Sequence, residues 1–281
     1  MTRADEDDPN SSYALMLDMI EGPATVLDLG CGPGNFARQL VSRGCAVVGL
    51  DLNPEHLESA RAYCRETHVV DLEREALDDV LRDERFDVAI CADILEHLRD
   101  PRRVLEGLRT VLAPGGCVLA SIPNVAHGAV RLALLAGRFE YQPFGILDDT
   151  HVHFYTNNSI TALFEDAGYV IVSTARTLTP IFDSEAFLVP KIAREDFPPE
   201  TIERVESAPE SETLQFVIKA IPRFPAPPRR EAIREVPHVA MVDANLDLLA
   251  RLHTATRGAE AAEAQLAEHS KLLARLRERW R

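Results

Sequence analysis

The run DLGCGPGN at 28–35 places glycines at 30, 32 and 34, with an acid, Asp28, two positions before the first. Glycine at such positions lets a chain turn tightly and approach a bound molecule with no Cβ in the way, and the helix read from Phe36 to Ser42 begins there with free N–H groups. The spacing differs from the G-x-G-x-x-G turn that cradles a pyrophosphate, and suits a ligand with a cationic amino-acid end better. Further along, Asp93, Glu96 and His97 stand at i, i+3 and i+4, so one helical turn would set all three on the same face. A second polar cluster, DDTHVH at 148–153, adds His151 and His153. An imidazole among carboxylates can take the proton of a hydroxyl, the step that makes an oxygen nucleophilic.

These residues need elements to hold them. Between Thr25 and Ser121 short β-branched runs alternate with helical stretches, the pattern of an α/β protein with a parallel sheet. Strands are predicted at 25–29, 46–51, 68–71, 86–91 and 117–122, and two more at 169–175 and 214–221, giving a doubly wound, mostly parallel sheet of seven strands. Asn53-Pro54 and Asp100-Pro101 each put a capping side chain before a proline at the first helical position, and Pro114-Gly115-Gly116 stops the second of these helices. A helix is also predicted from about Asn158 to Ala167. In such a sheet the 28–35, 93–97 and 148–153 segments all follow carboxyl ends of strands, where ligands bind.

The chain has 281 residues, 46% of them hydrophobic, and 30 basic against 45 acidic side chains, a net charge of −15. No apolar run approaches the roughly 18 residues of a membrane span, so a transmembrane class is excluded. A pI near 5.0 opposes binding to nucleic-acid backbones. The five cysteines show no CxxC spacing and read as free thiols, and the acidic start MTRADEDDPNSS is unlike a secretory leader; both predict a cytoplasmic protein. The organisation expected is an acidic tail (1–12), a domain (13–221) with an insertion at about 123–157, a Pro/Arg-rich linker (222–240) and a helix (241–281). In that helix Leu248, Leu252, Ala255, Ala259, Ala262, Leu266, His269, Leu273, Leu276 and Trp280 alternate spacings of 4 and 3, a heptad seam suited to a homo-oligomer or to docking a partner protein.

From about Val26 to Ile221 the chain resembles the class I S-adenosylmethionine-dependent methyltransferases, and the resemblance implies their Rossmann-like fold. DLGCGPGN is similar to the family's first motif, whose loop wraps the methionine part of the cofactor; Asp28, Gly30, Cys31, Gly32, Gly34 and Asn35 carry that role over. Asp51, with Leu52 beside it, falls where the family has the acid that takes both ribose hydroxyls, and Asp71 and Leu72 fall beside the adenine. FDVAICADILEHL (86–98) resembles the fourth motif, adding Cys91, Ala92 and Asp93, and APGGCVLASIPN (113–124) resembles the strand after it. S-adenosylmethionine, leaving as S-adenosylhomocysteine, is the cofactor implied.

The acid–acid–histidine pattern resembles two branches of that superfamily, the ubiquinone-biosynthesis type O-methyltransferases and the enzymes that methylate the terminal 2′-hydroxyl of small RNAs. The likeness implies that Asp93, Glu96, His97 and His151 hold a divalent metal such as Mg²⁺, although Asp93 stands where glutamate is common; without a metal, His97, His151 or His153 would act as base. The stretch 121–156 also resembles methyltransferases of bacterial glycan pathways, in which Asn124, His127, Arg131, Phe139 and Tyr141 would line the acceptor cavity under a lid. The reading is therefore an O-methyltransferase of a sugar, glycan or similar hydroxylated small molecule. A phenolic or quinone-precursor acceptor is the alternative, and a non-catalytic cofactor-binding subunit a third. The charge of −15 counts against an RNA acceptor.

Overall fold

The computed structural model of the chain describes residues 8–182 and 187–223. The expectations for residues 1–7, for the linker beyond Arg223 and for the heptad helix lie outside the described residues.

The seven strands are β1 (Thr25–Leu29), β2 (Ala46–Asp51), β3 (Glu66–Val69), β4 (Phe86–Ala92), β5 (Leu112–Pro123), β6 (Tyr169–Leu178) and β7 (Thr213–Pro222). They form one sheet in the order β3-β2-β1-β4-β5-β7-β6, with β7 antiparallel to both neighbours and the pairings among β1 to β5 parallel. Successive side chains on a strand face opposite ways. Thus Val26, Val47, Val88 and Ile90 bury on one face against α1 (Ser12–Asp18), α2 (Asn35–Ser42) and α3 (Pro54–Ala60). Leu27, Leu29, Val48 and Leu50 bury on the other against α4 (Leu77–Leu81), α5 (Pro101–Val111) and α7 (Asn157–Asp166). Both sheet faces are covered, as strands that read as near-continuous apolar runs require.

The helix starts follow the sequence signals. Asn53 Oδ1 accepts the Glu55 N–H at 2.9 Å and Asp100 Oδ1 the Arg103 N–H at 3.0 Å, each with the proline in the first turn. Strand β3 sits two residues earlier than the 68–71 predicted, because Asp71 folds into a turn of its own in which its Oδ1 accepts the Glu73 N–H at 2.9 Å. The domain also begins before residue 13: Asn10 makes a pair of side-chain hydrogen bonds to the backbone of Leu178, at 2.8 and 2.9 Å, and Ser11 caps α1.

The insertion after β5 contains α6 (Gly128–Leu135), and α8 (Pro199–Glu206) lies beyond β6. Ala129, Val130, Leu132, Ile146, Leu147 and Val205 share a third apolar cluster with Leu214 of β7, so the insertion is packed onto the sheet's end. No helix among the described residues is long and apolar enough to cross a membrane.

Candidate active site

In the sheet Leu29 is level with Leu50 of β2 and with Cys91 of β4. The residues that follow these strands therefore emerge together at the carboxyl edge, beside the β1/β4 crevice where the strand order reverses. Gly32 has φ +53°, and a Cβ there would meet nothing within 4 Å, so this side of the turn faces open space. Its N–H donates to Asp51 Oδ2 at 2.8 Å, while the Asn53 N–H donates to Oδ1 at 2.8 Å and His56 Nδ1 lies 3.3 Å from the same oxygen. The carboxylate is thereby fixed at the end of β2 with lone pairs left for a further donor.

Asp28, one turn of the strand below, is buried, and its Oδ2 has no hydrogen-bond partner among the described residues. Burial, with the Asp51 charge adding to it, pushes its carboxyl up to about 7. A buried oxygen left without a donor is costly, and an ammonium group of a bound molecule would satisfy it; this orphaned oxygen is the observation that fits a cationic amino-acid ligand. Tyr13 of α1 stacks on Phe36 with ring centroids 4.4 Å apart, and its hydroxyl is pushed up by burial and then by the charges of Asp28 and Asp93. Tyr13 is a residue of this site that sequence reasoning missed.

Asn35 is the first residue of α2, Leu52 is 66% exposed at the rim, and Ala92 is half-buried. Asp71 pairs with Arg74 at 3.3 Å. The side chains of Leu72 and Cys91 belong to the core.

Asp93 leaves β4 with φ +49°, a left-handed conformation rare for a residue other than glycine. Its Oδ1 accepts from Ser121 Oγ at 2.9 Å and from Gln215 Nε2 at 2.7 Å. A 3-10 turn over Leu95–His97 follows, and its Glu96 carbonyl accepts two N–H groups of the inserted loop, from Val152 at 2.9 Å and His153 at 3.1 Å. That double bond to one carbonyl brings together the two histidine-bearing segments.

The result is a cluster in which one donor atom each of Glu96, His97 and His151 lie within 4.8 Å of one another. Glu96 is 1% exposed, both carboxyl oxygens lack a partner among the described residues, and burial and then Asp93 push its pKa well up. His151 Nδ1 lies 3.2 Å from the Ile146 carbonyl, which can only accept, so Nδ1 carries the proton and Nε2 the lone pair. His97 Nδ1 lies 3.3 Å from Thr150 O and 3.1 Å from Thr150 Oγ1, whose own proton goes to Asp148. The same tautomer follows. Burial, and then the nearby His97 charge, lower the pKa of His151.

Asp93, Glu96, His97, Asp148, His151 and Gln215 line the polar end of a cavity of about 300 Å³, and Pro123, Phe144, Ile146, Leu188 and Leu214 form its apolar wall. Four expectations are corrected here. Asp93 is held by Ser121 and Gln215 and stands outside the Glu96–His97–His151 cluster, so the four-ligand metal set reduces to three. His153 turns its Nε2 to the Arg99 carbonyl at 3.2 Å. Asn124 and His127 are fully buried and spend their polar atoms on backbone groups of Thr213, Ala126, Thr179 and Ala129, as buried polar atoms must. Arg131 reaches the Pro209 carbonyl and Tyr141, 58% exposed, packs edge-on against Phe139, so neither lines the cavity.

The sequence profile of a methyltransferase domain matches residues 3–174 of this chain. The chain belongs to that methyltransferase-domain family. Curated proteins similar to this chain include two named "Ubiquinone biosynthesis O-methyltransferase". One, from Actinobacillus pleuropneumoniae serotype 5b, is 30% identical over 152 residues, 47% of this chain and 65% of the relative. The other, from Xylella fastidiosa, is 34% identical over 119 residues, 41% and 48%. The chain thus spans less than two thirds of the length of these relatives. A solved SAM-dependent methyltransferase from Archaeoglobus fulgidus superposes with a TM-score of 0.52 at 16% identity, covering 75% of this chain and 91% of that one, a likeness of fold.

Proposed function

We propose that the chain is an S-adenosylmethionine-dependent O-methyltransferase whose acceptor is a small hydroxylated aromatic molecule. The observation that carries this reading is the cavity, with Glu96, His97 and His151 at one end and a wall of Pro123, Phe144, Ile146, Leu188 and Leu214 along its side. A flat ring lies against such a wall with a hydroxyl toward the histidines, whereas a sugar needs polar partners all round. The relatives' name supports the same acceptor class, and two residues expected to hold a sugar, Asn124 and His127, are spent on backbone groups.

The bound donor supplies a methyl group on a sulfonium, open to in-line displacement. Asp51 would accept the two ribose hydroxyls on its remaining lone pairs, and Asp28 would take the ammonium on its orphaned Oδ2. His151 Nε2 accepts the acceptor's hydroxyl proton, and the Glu96 carboxyl beside it steadies the imidazolium that results. The apolar wall fixes the ring and keeps water from the reacting oxygen.

A second reading is favoured by the Glu96–His97–His151 donor set itself, one carboxylate and two imidazoles with free Nε2 atoms. These three residues would hold a divalent ion, which lowers the pKa of a coordinated hydroxyl. The heptad seam at 248–280 is, on its spacing, an assembly device.

Transfer from labelled S-adenosylmethionine to catechols, nucleotide sugars and oligosaccharides, each with and without chelator, tests the reading. Label on catechols, unaffected by chelator, is the expected result. Label confined to sugars overturns the acceptor class, and loss of transfer with chelator selects the second reading.

A further inference from the structure

Cys31, between the first two glycines of the turn, and Cys64, four residues beyond α3, bring their sulfurs over the same point of β2. A Cβ on Gly49 would lie 2.7 Å from Cys31 Sγ and 3.0 Å from Cys64 Sγ, so the missing side chain of Gly49 is the space both sulfurs fill. The backbones around them are already in contact: a Cβ on Gly34 would stand 2.9 Å from Ala60 Cα and 3.2 Å from the Tyr63 ring. The Cys31 N–H is tied to Leu50 O and the Cys64 N–H to Ala60 O, each at 2.9 Å. Both cysteines are free and buried, each keeping a little exposure, 7% and 8%, where Cys91 has none.

We propose that Cys31 and Cys64 form a paired-thiol oxidation site, in which a peroxide-class oxidant joins the two sulfurs and the joined pair disables the glycine turn for ligand binding. The chemistry assigns different parts to the two. Cys31, whose S–H lies between Gly32 O at 3.6 Å and Cys64 Sγ, has its pKa pushed up by the hydrogen bond to Cys64; Cys64 receives that bond and has its pKa lowered. Cys64 is accordingly the readier of the two to lose its proton and attack hydrogen peroxide. Its sulfur takes one peroxide oxygen, becoming a sulfenic acid as the first water leaves. The Cys31 sulfur then displaces the hydroxyl of that acid, releasing the second water. One peroxide is reduced to two waters, and two thiols are oxidised to one disulfide. A disulfide requires the sulfurs at about 2.05 Å, closer than the hydrogen-bonded pair. Forming it draws Cys31, and with it the neighbouring Gly32 amide that holds Asp51, toward the end of α3. The consequence for binding rests on the reading of this turn as the donor site.

The test uses the full chain. Protein treated with hydrogen peroxide is alkylated, digested and searched by mass for a linked Cys31–Cys64 peptide, while S-adenosylhomocysteine binding is measured by calorimetry before oxidation, after it, and after dithiothreitol. The linked peptide is expected, with affinity reduced about tenfold or more and restored by reductant. Cys64→Ser, outside the binding residues, should keep its affinity through the same treatment. Absence of the linked peptide, or a linked protein with undiminished affinity, overturns the proposal. A linked peptide in a protein that binds no S-adenosylhomocysteine even when reduced upholds the oxidation site and overturns the donor reading.

Discussion

Gln215 of β7 donates from Nε2 to Asp93 Oδ1 at 2.7 Å, joining the residue after β4 to a strand 122 positions further along the chain. The Gln215 N–H is in turn held by Thr177 Oγ1 at 3.1 Å, and Ser121 Oγ donates to the same Asp93 oxygen. A left-handed aspartate is thus pinned from two strands, immediately before the turn that carries Glu96 and His97. Gln215→Leu should lower kcat about tenfold while leaving the Kd for S-adenosylhomocysteine within about twofold, because the amide positions Asp93. Equal losses in kcat and donor affinity would place Gln215 in the donor site instead.

Asp51→Ala removes the acceptor of two backbone N–H groups, those of Gly32 and Asn53, together with the acid assigned to the ribose. Calorimetry should find S-adenosylmethionine affinity reduced by about 2 kcal/mol or more. Affinity unchanged would remove Asp51 from the donor site.

Asp28 makes the free protein's stability depend on pH. Its carboxyl titrates near 3.8 when unfolded and at about 7 in the fold, so between these values the folded chain holds a proton that the unfolded chain has lost. The contribution is fully present below the lower value and is lost as pH rises through the upper one, a difference of up to about 4 kcal/mol. Asp28→Asn abolishes this titration. Its melting temperature relative to the parent should rise between about pH 4 and about pH 7, followed by calorimetric scans of both proteins. A difference constant with pH would show that Asp28 is ionised in the fold.

His151→Ala should reduce turnover about 10²-fold with donor affinity unchanged, if Nε2 is the base proposed for the acceptor's hydroxyl. Turnover measured against a catechol decides it, and full activity in the variant would retire His151 as the base.

A chain ending at Arg223 should remain folded, because β7 closes the sheet at Pro222 and the Arg223 N–H makes its 2.8 Å bond to Gly168 O. Its mass by light scattering, set beside that of the full chain, reads the heptad seam directly: equal numbers of copies in the two would exclude self-association through it.

Much of the frame is visible in the residue order. Apolar runs at 25–29, 46–51 and 86–91 fold as β1, β2 and β4 because both faces of a parallel strand are covered, and Asn53-Pro54 and Asp100-Pro101 start α3 and α5. What escapes is whatever depends on distant packing. The short α1, SYALMLD, has too few residues for periodicity to register, so Tyr13 could not be set over Asp28. Gln215 sits in a strand read for its apolar neighbours, and nothing local connects it to Asp93. Asn124 and His127 are legible as polar lid residues; that the backbone carbonyls of Thr213, in β7, and Thr179, just past β6, claim them depends on how the insertion packs.

The carbonyl of Glu96 accepts two amides of the inserted loop, which ties the loop to the 3-10 turn. Lifting the loop at that edge would strand two N–H groups, so the histidines are preset before any acceptor arrives. Adaptation to acceptors of different girth would then fall to the apolar wall, where Phe144 and Leu188 line the cavity. A lineage retuning this protein's acceptor should vary those two positions and hold 148–153 constant.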